Sequence, residues 1–221
     1  MPETLTKFLK NKLQLSLFLL TVIYMVGIVT TLLGHSDALM ELTPYNLVFA
    51  TGLILYNAEG MNRVYLRWFF LIAIAGYLIE LLGIITGIIF GIYAYGEGLG
   101  IKLFDVPLII GINWAVLVFA SAAILNKLKI SIWLKAAMAS TLMVAYDILL
   151  EPVAIRFDFW NWEGGSIPLQ NYIAWWLIAY VMLLGVLHYV KNLNNKIAIY
   201  VVAVQSIFFA ILILTEKLKV F

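Results

Sequence analysis

Seven apolar runs, each near the length needed to cross a bilayer, constrain this chain more than any other feature. A membrane-spanning helix needs about 20 predominantly apolar residues. The runs cover residues 13–33, 42–58, 66–93, 106–125, 131–155, 169–190 and 197–215, the second being the shortest. The 221 residues are 64% hydrophobic and 12% charged, whereas soluble domains are about half apolar and a quarter charged. The expected fold is all-α: a polytopic membrane helical bundle of about seven transmembrane helices. Short linkers make residues 1–221 one integral-membrane domain. The leading MPETLTKFLKNK resembles the basic start of a signal peptide, but the run from Leu13 to Leu33 is too long for one and is expected to stay as a helix.

Basic residues in short loops set the orientation of such a bundle. Lys7, Lys10, Lys12, Arg63, Arg67, Lys127, Lys129, Lys135, Lys191 and Lys196 fall on one side, ten in all. Lys102, Arg156, Lys217 and Lys219, four in all, fall on the other. The expectation is a multi-pass protein of the cell membrane with a cytoplasmic N-terminus and an external C-terminus. The segment FDFWNWEGGSIP would then be a loop on the outer face. A net charge of +2 gives no reason to expect nucleic-acid binding.

Against this apolar background, polar groups at membrane depth stand out. Glu80 lies in the third span, Asn113 in the fourth, Asp147 and Glu151 in the fifth, Asn171 at the start of the sixth and Gln205 in the seventh. Ionisable groups there are costly and tend to mark function. Asp147 and Glu151 are four residues apart, hence on one helical face about 6 Å from each other. Such a pair could supply an acid and a base for proton transfer. Structural alternatives remain: Glu151, before Pro152, could sit solvated at headgroup level, and Asp147 or Glu80 could tie helices together. Gly76, Gly83, Gly87 and Gly91 fall on roughly the face of Glu80. They suit close helix packing or, at Gly83 and Gly87, a flat wall for an elongated ligand. Trp160, Trp162, Trp175 and Trp176 suit an interfacial belt or the lining of a pocket.

Several chemistries are excluded by residue counts. There is no cysteine and there are only two histidines, His35 and His188. That rules out the clustered histidine boxes of membrane di-iron oxygenases and the Glu-x-x-His pairs of di-iron bundles. The last span holds no lysine for a retinal Schiff base. No paired broken helices suggest a transporter. Cofactor-free and metal-free chemistry by carboxylates, or a non-catalytic role, is left.

Between Tyr146 and Trp176 the chain resembles the carotenoid hydratases, small membrane proteins acting on γ-carotene or bisanhydrobacterioruberin. The likeness rests on Asp147, Glu151-Pro152-Val153-Ala154, Trp160-Asn161-Trp162, Ile167-Pro168-Leu169, Asn171 and Trp175. Ala174 stands where the family often has glycine. The resemblance implies water addition across the terminal double bond of an acyclic carotenoid end, giving a tertiary alcohol without cofactor or metal. It implies Asp147 as acid, Glu151 or Glu80 as partner and base, and Asn171 and Asn113 as water-positioning groups. Tyr146, Trp160, Trp162 and Trp175 would line the pocket, with Trp176, Gly83 and Gly87 as further substrate-binding candidates.

Two alternatives share these residues. A small membrane-type lycopene cyclase would begin with the same protonation, although its Pro-x-Glu-Glu stretch is missing here. A carotenoid-binding or assembly protein would use the pocket without turnover. The expected partners are a lipid-soluble carotenoid, membrane lipid and other carotenoid biosynthesis enzymes.

Overall fold

A computed structural model describes residues 11–219; Lys7 and Lys10 of the orientation argument lie outside them, as do the side chains of Lys217 and Lys219. Six helices are long and apolar enough to cross a membrane: α1 (Lys12–Leu32), α4 (Arg63–Thr86), α5 (Leu108–Asn126), α6 (Ile132–Arg156), α7 (Leu169–Tyr189) and α8 (Lys196–Lys219). Between α1 and α4 come a short α2 (Ser36–Met40) and α3 (Thr43–Asn57). The 15 residues of α3 reach only about 22 Å at 1.5 Å per residue, less than the roughly 30 Å hydrocarbon core. The chain is an all-α, polytopic membrane protein, and its second apolar run is the one that falls short of a full span.

Polar caps set where the helices begin. Asn11 accepts from the Gln14 amide, Asn62 from the Val64 and Tyr65 amides, and Ser131 from the Leu134 amide. Each satisfies donors that a helix start leaves without partners. The bundle packs around α5, whose buried residues run over most of its length. It touches α3, α4, α6, α7 and α8. A helix that is apolar all round belongs in the centre of such a bundle.

The third apolar run differs from its expected extent. It does not continue as helix to residue 93 but stops at Thr86, where Gly87 turns left-handed at φ 63° and donates to the Gly83 carbonyl. Glycine takes that conformation without a Cβ penalty. The chain then forms strand β1 (Tyr93–Tyr95), so Gly91 is not on the helical face of Glu80. The FDFWNWEGGSIP segment also contains a strand, β4 (Trp160–Trp162), rather than loop throughout. β1 and β4 pair antiparallel, with Tyr93 opposite Trp162 and Tyr95 opposite Trp160. A hairpin of β2 (Lys102–Leu103) and β3 (Val106–Pro107) turns at Phe104 and Asp105, both at positive φ. The β1–β4 ribbon therefore closes the end of the bundle where α4 and α6 finish and α5 and α7 begin.

Candidate active site

Three carboxyl groups converge beneath this ribbon. Glu80 on α4, Asp147 on α6 and Glu151 one turn further along α6 are 3%, 1% and 1% exposed. Glu151 is thus buried rather than solvated at a helix end. Pro152 follows it inside α6, where its missing N–H leaves the Ile148 carbonyl without the usual helical donor.

Each carboxyl group has its own set of partners. Glu80 Oε2 accepts from Tyr93 Oη at 2.5 Å and Tyr95 Oη at 2.8 Å, and Oε1 accepts from Trp114 Nε1 at 2.8 Å. Glu151 Oε2 accepts from Trp160 Nε1 at 3.0 Å and Trp162 Nε1 at 2.9 Å. Asn171 Nδ2, at the start of α7, bridges the pair on α6, donating to Asp147 Oδ2 at 3.2 Å and Glu151 Oε1 at 3.3 Å. Asp147 Oδ1 is buried with no hydrogen-bond partner among the described residues. Buried polar groups are nearly always partnered, so one left over in a cavity wall is a reactive or ligand-facing candidate. Burial first, and the neighbouring Glu80 second, push the Tyr93 and Tyr95 hydroxyls above their ordinary range, so both remain proton donors to Glu80.

A cavity of about 30 Å³ lies among these groups, with Asn113 and Trp175 also in its wall. By volume it has room for a water molecule or two. Half of its lining residues are aromatic. Trp114 stacks on Trp175 at 4.1 Å between centroids, and Tyr93 lies 5.0 Å from Trp162. A second cavity of about 70 Å³ shares Ile110, Asn113, Leu150 and Trp160 with the first. Among the described residues, neither wall contains a lysine, arginine or histidine. A carboxylic acid beside a second, hydrogen-bonded carboxyl group, in an aromatic pocket, can donate a proton to a weak base and shelter the cation that results.

The structure brings Glu80, Asn113, Asp147, Glu151, Trp160, Trp162, Asn171 and Trp175 to the first cavity. Tyr146 lines only the second, where its hydroxyl donates to Gln205 Oε1 at 2.9 Å. Trp176 donates to Thr141 Oγ1 and stacks on Tyr180, away from both. Gly83 and Gly87 are also outside both walls. A Cβ on Gly83 would sit 2.6 Å from the Phe90 ring, so this glycine serves close packing.

Residues 42–220 match the family described as carotenoid biosynthesis protein. The chain belongs to this family. It is also 28% identical over 186 residues to a Haloarcula japonica protein named bisanhydrobacterioruberin hydratase. That match covers 76% of this chain and 63% of the relative, so the chain spans a little under two thirds of the relative's length. No solved structure matches.

Three donors of this carotenoid biosynthesis protein escape a sequence reading built on charged residues: Tyr93, Tyr95 and Trp114. Tyr93-Ala94-Tyr95 and Trp160-Asn161-Trp162 place aromatics at alternate positions. That period of two is the strand signal that could have paired them. Trp114 sits in a helix with no polar face and gives no comparable signal.

Proposed function

We propose that this protein is a carotenoid hydratase, adding water across the terminal trisubstituted double bond of an acyclic carotenoid end. The observation that carries the reading is the unpartnered Asp147 Oδ1 beside Glu151, in a pocket walled by indoles. The Asp147 carboxyl gives its proton to the alkene CH carbon, and the π electrons form that C–H bond. The adjacent tertiary carbon becomes a cation. Aromatic faces stabilise it by about 1–2 kcal/mol each. Water held by Asn171 and Asn113 bonds to the cation, and Glu151 takes the proton the water loses. Proton return from Glu151 to Asp147 restores the starting state, so only water is consumed. Glu80, held by three donors, presents fixed carboxyl oxygens beside the developing cation.

The test is turnover of lycopene in membranes containing the protein, run in water enriched with heavy oxygen. The expected product is a tertiary alcohol carrying that label, formed equally well without air. Label from molecular oxygen would overturn the reading. So would an unchanged mass with altered absorption, which marks ring closure. A bound but unaltered carotenoid would mark a binding protein instead.

A further inference from the structure

Three cavities share walls in series. The carboxyl cavity meets the second cavity at Asn113 and Trp160. The second shares Tyr24, Met40, Asn46 and Phe208 with a groove of about 300 Å³, formed by α1 and the α2–α3 corner. The groove faces outward: Val22, Val26 and Leu42 on its rim are 42%, 53% and 54% exposed. In a membrane helix, exposed side chains of this type meet lipid.

We propose that this series is the entry route for the polyene, with the reacting end at Asp147 and the rest of the chain running out through the groove into lipid. The proposal rests on the hydratase reading for what the site holds. A polyene is dissolved in the bilayer, and the ribbon covers the end of the bundle, so a sideways opening at membrane depth supplies it directly. Polar groups along the way are partly satisfied by one another, while Asn46 Oδ1 is buried with no partner among the described residues. Asn46 Nδ2 donates to Tyr24 Oη at 3.1 Å, and Tyr146 donates to Gln205.

Phe208 forms the partition between groove and inner cavity, edge-on to Tyr24 at 6.0 Å. Gly27 gives its ring room, since a Cβ there would come within 3.3 Å of Phe208 Cε2. Gly27 and Phe208 therefore set the width of the route and decide how bulky a methyl-branched chain can pass.

The absence of cysteine makes a direct test available. Single thiols are introduced by Val26→Cys on the groove rim and by Leu78→Cys on α4. Leu78 is 49% exposed and a similar distance along its own helix. The folded proteins in lipid vesicles are alkylated with a membrane-soluble maleimide, and lycopene turnover is compared before and after. The adduct at position 26 should lower hydration at least about tenfold, because misplacing a reacting end by 1 Å costs about a hundredfold. The adduct at position 78 should leave it unchanged. Preloaded lycopene should slow alkylation at position 26 only. Equal effects at both positions, or none at position 26, would overturn the route while leaving hydration itself standing. Protection at position 26 without any hydrated product would uphold the route and overturn the hydratase reading.

Discussion

Replacing Asp147 by asparagine separates proton transfer from architecture. Asparagine keeps the shape of aspartate, and its carbonyl oxygen can still accept from Asn171 Nδ2, a bond that is already long at 3.2 Å. Its amide nitrogen takes the place of Oδ1, which has no partner among the described residues. The expected change in stability is about 1–3 kcal/mol, the cost of a buried amide donor without an acceptor. Loss of a general acid is larger, about 10²- to 10⁴-fold in rate, or roughly 3–5.5 kcal/mol on the barrier. Product is measured by pigment mass spectrometry per unit of membrane-inserted protein, with thermal melting alongside. Glu151→Gln should also slow turnover. If the two residues act as one unit, the double variant is no worse than the worse single one. A carboxyl that only ties α6 to α7 gives the reverse pattern: lower melting temperature with normal turnover per folded molecule. Near-normal specific activity in Asp147→Asn would refute the assignment and move the acid to Glu80.

Two further predictions concern packing and topology. A Cβ on Gly76 would lie 2.5 Å from Trp114 Cβ, so Gly76→Ala should force α4 and α5 apart and cost about 1–3 kcal/mol, read as a lower melting temperature; unchanged melting would refute the close approach. The ten-to-four division of basic residues predicts a cytoplasmic N-terminus and an external C-terminus, and reporters fused to both ends should signal from opposite sides; signals from the same side would remove one crossing, first of all α3.

Much of the bundle is legible in the sequence because a bilayer imposes a length on every apolar run. The exceptions are physical. α3 is short because its apolar residues end at Ala58, ahead of the polar EGMNR stretch. The end of α4 is hidden because Ile88, Ile89, Phe90 and Ile92 continue the apolar run beyond a turn that only Gly87 reveals. In the candidate site, Asp147 and Glu151 are visible as a pair on one helical turn, since their spacing is local. Their bridging by Asn171 depends on how α7 lies against α6, which local spacing does not encode. The donors to Glu80 are still less visible, because tyrosine and tryptophan count as apolar in any scan for spans. Here their ring polar atoms are the ones that matter.

The β1–β4 ribbon explains how Glu80 and Glu151 are buried with no lysine, arginine or histidine among the described residues of the cavity wall. A two-stranded ribbon alone is marginal in water; here both strands are anchored by the helices that flank them. The Gly96 amide donates to the Phe159 carbonyl and the Glu97 amide to Asp158 Oδ2, closing the ribbon at its free end. Gly96 must be glycine for this, since a Cβ would lie 2.1 Å from the Asp158 carbonyl oxygen. Period-two alternation then turns Tyr93, Tyr95, Trp160 and Trp162 to one face, in directly opposed cross-strand pairs. Their four polar hydrogens serve Glu80 and Glu151, two for each. The ribbon is therefore both the lid of the pocket and the source of donors to two of its carboxyl groups. Trp114 and Asn171 serve Glu80 Oε1, Glu151 Oε1 and Asp147 Oδ2, so among the described residues Asp147 Oδ1 is the carboxyl oxygen of the three groups left without a donor. The same four rings also present apolar faces to the cavity. That combination of firmly held carboxyl oxygens and an aromatic shelter for a cation is what the proposed hydration needs in one place.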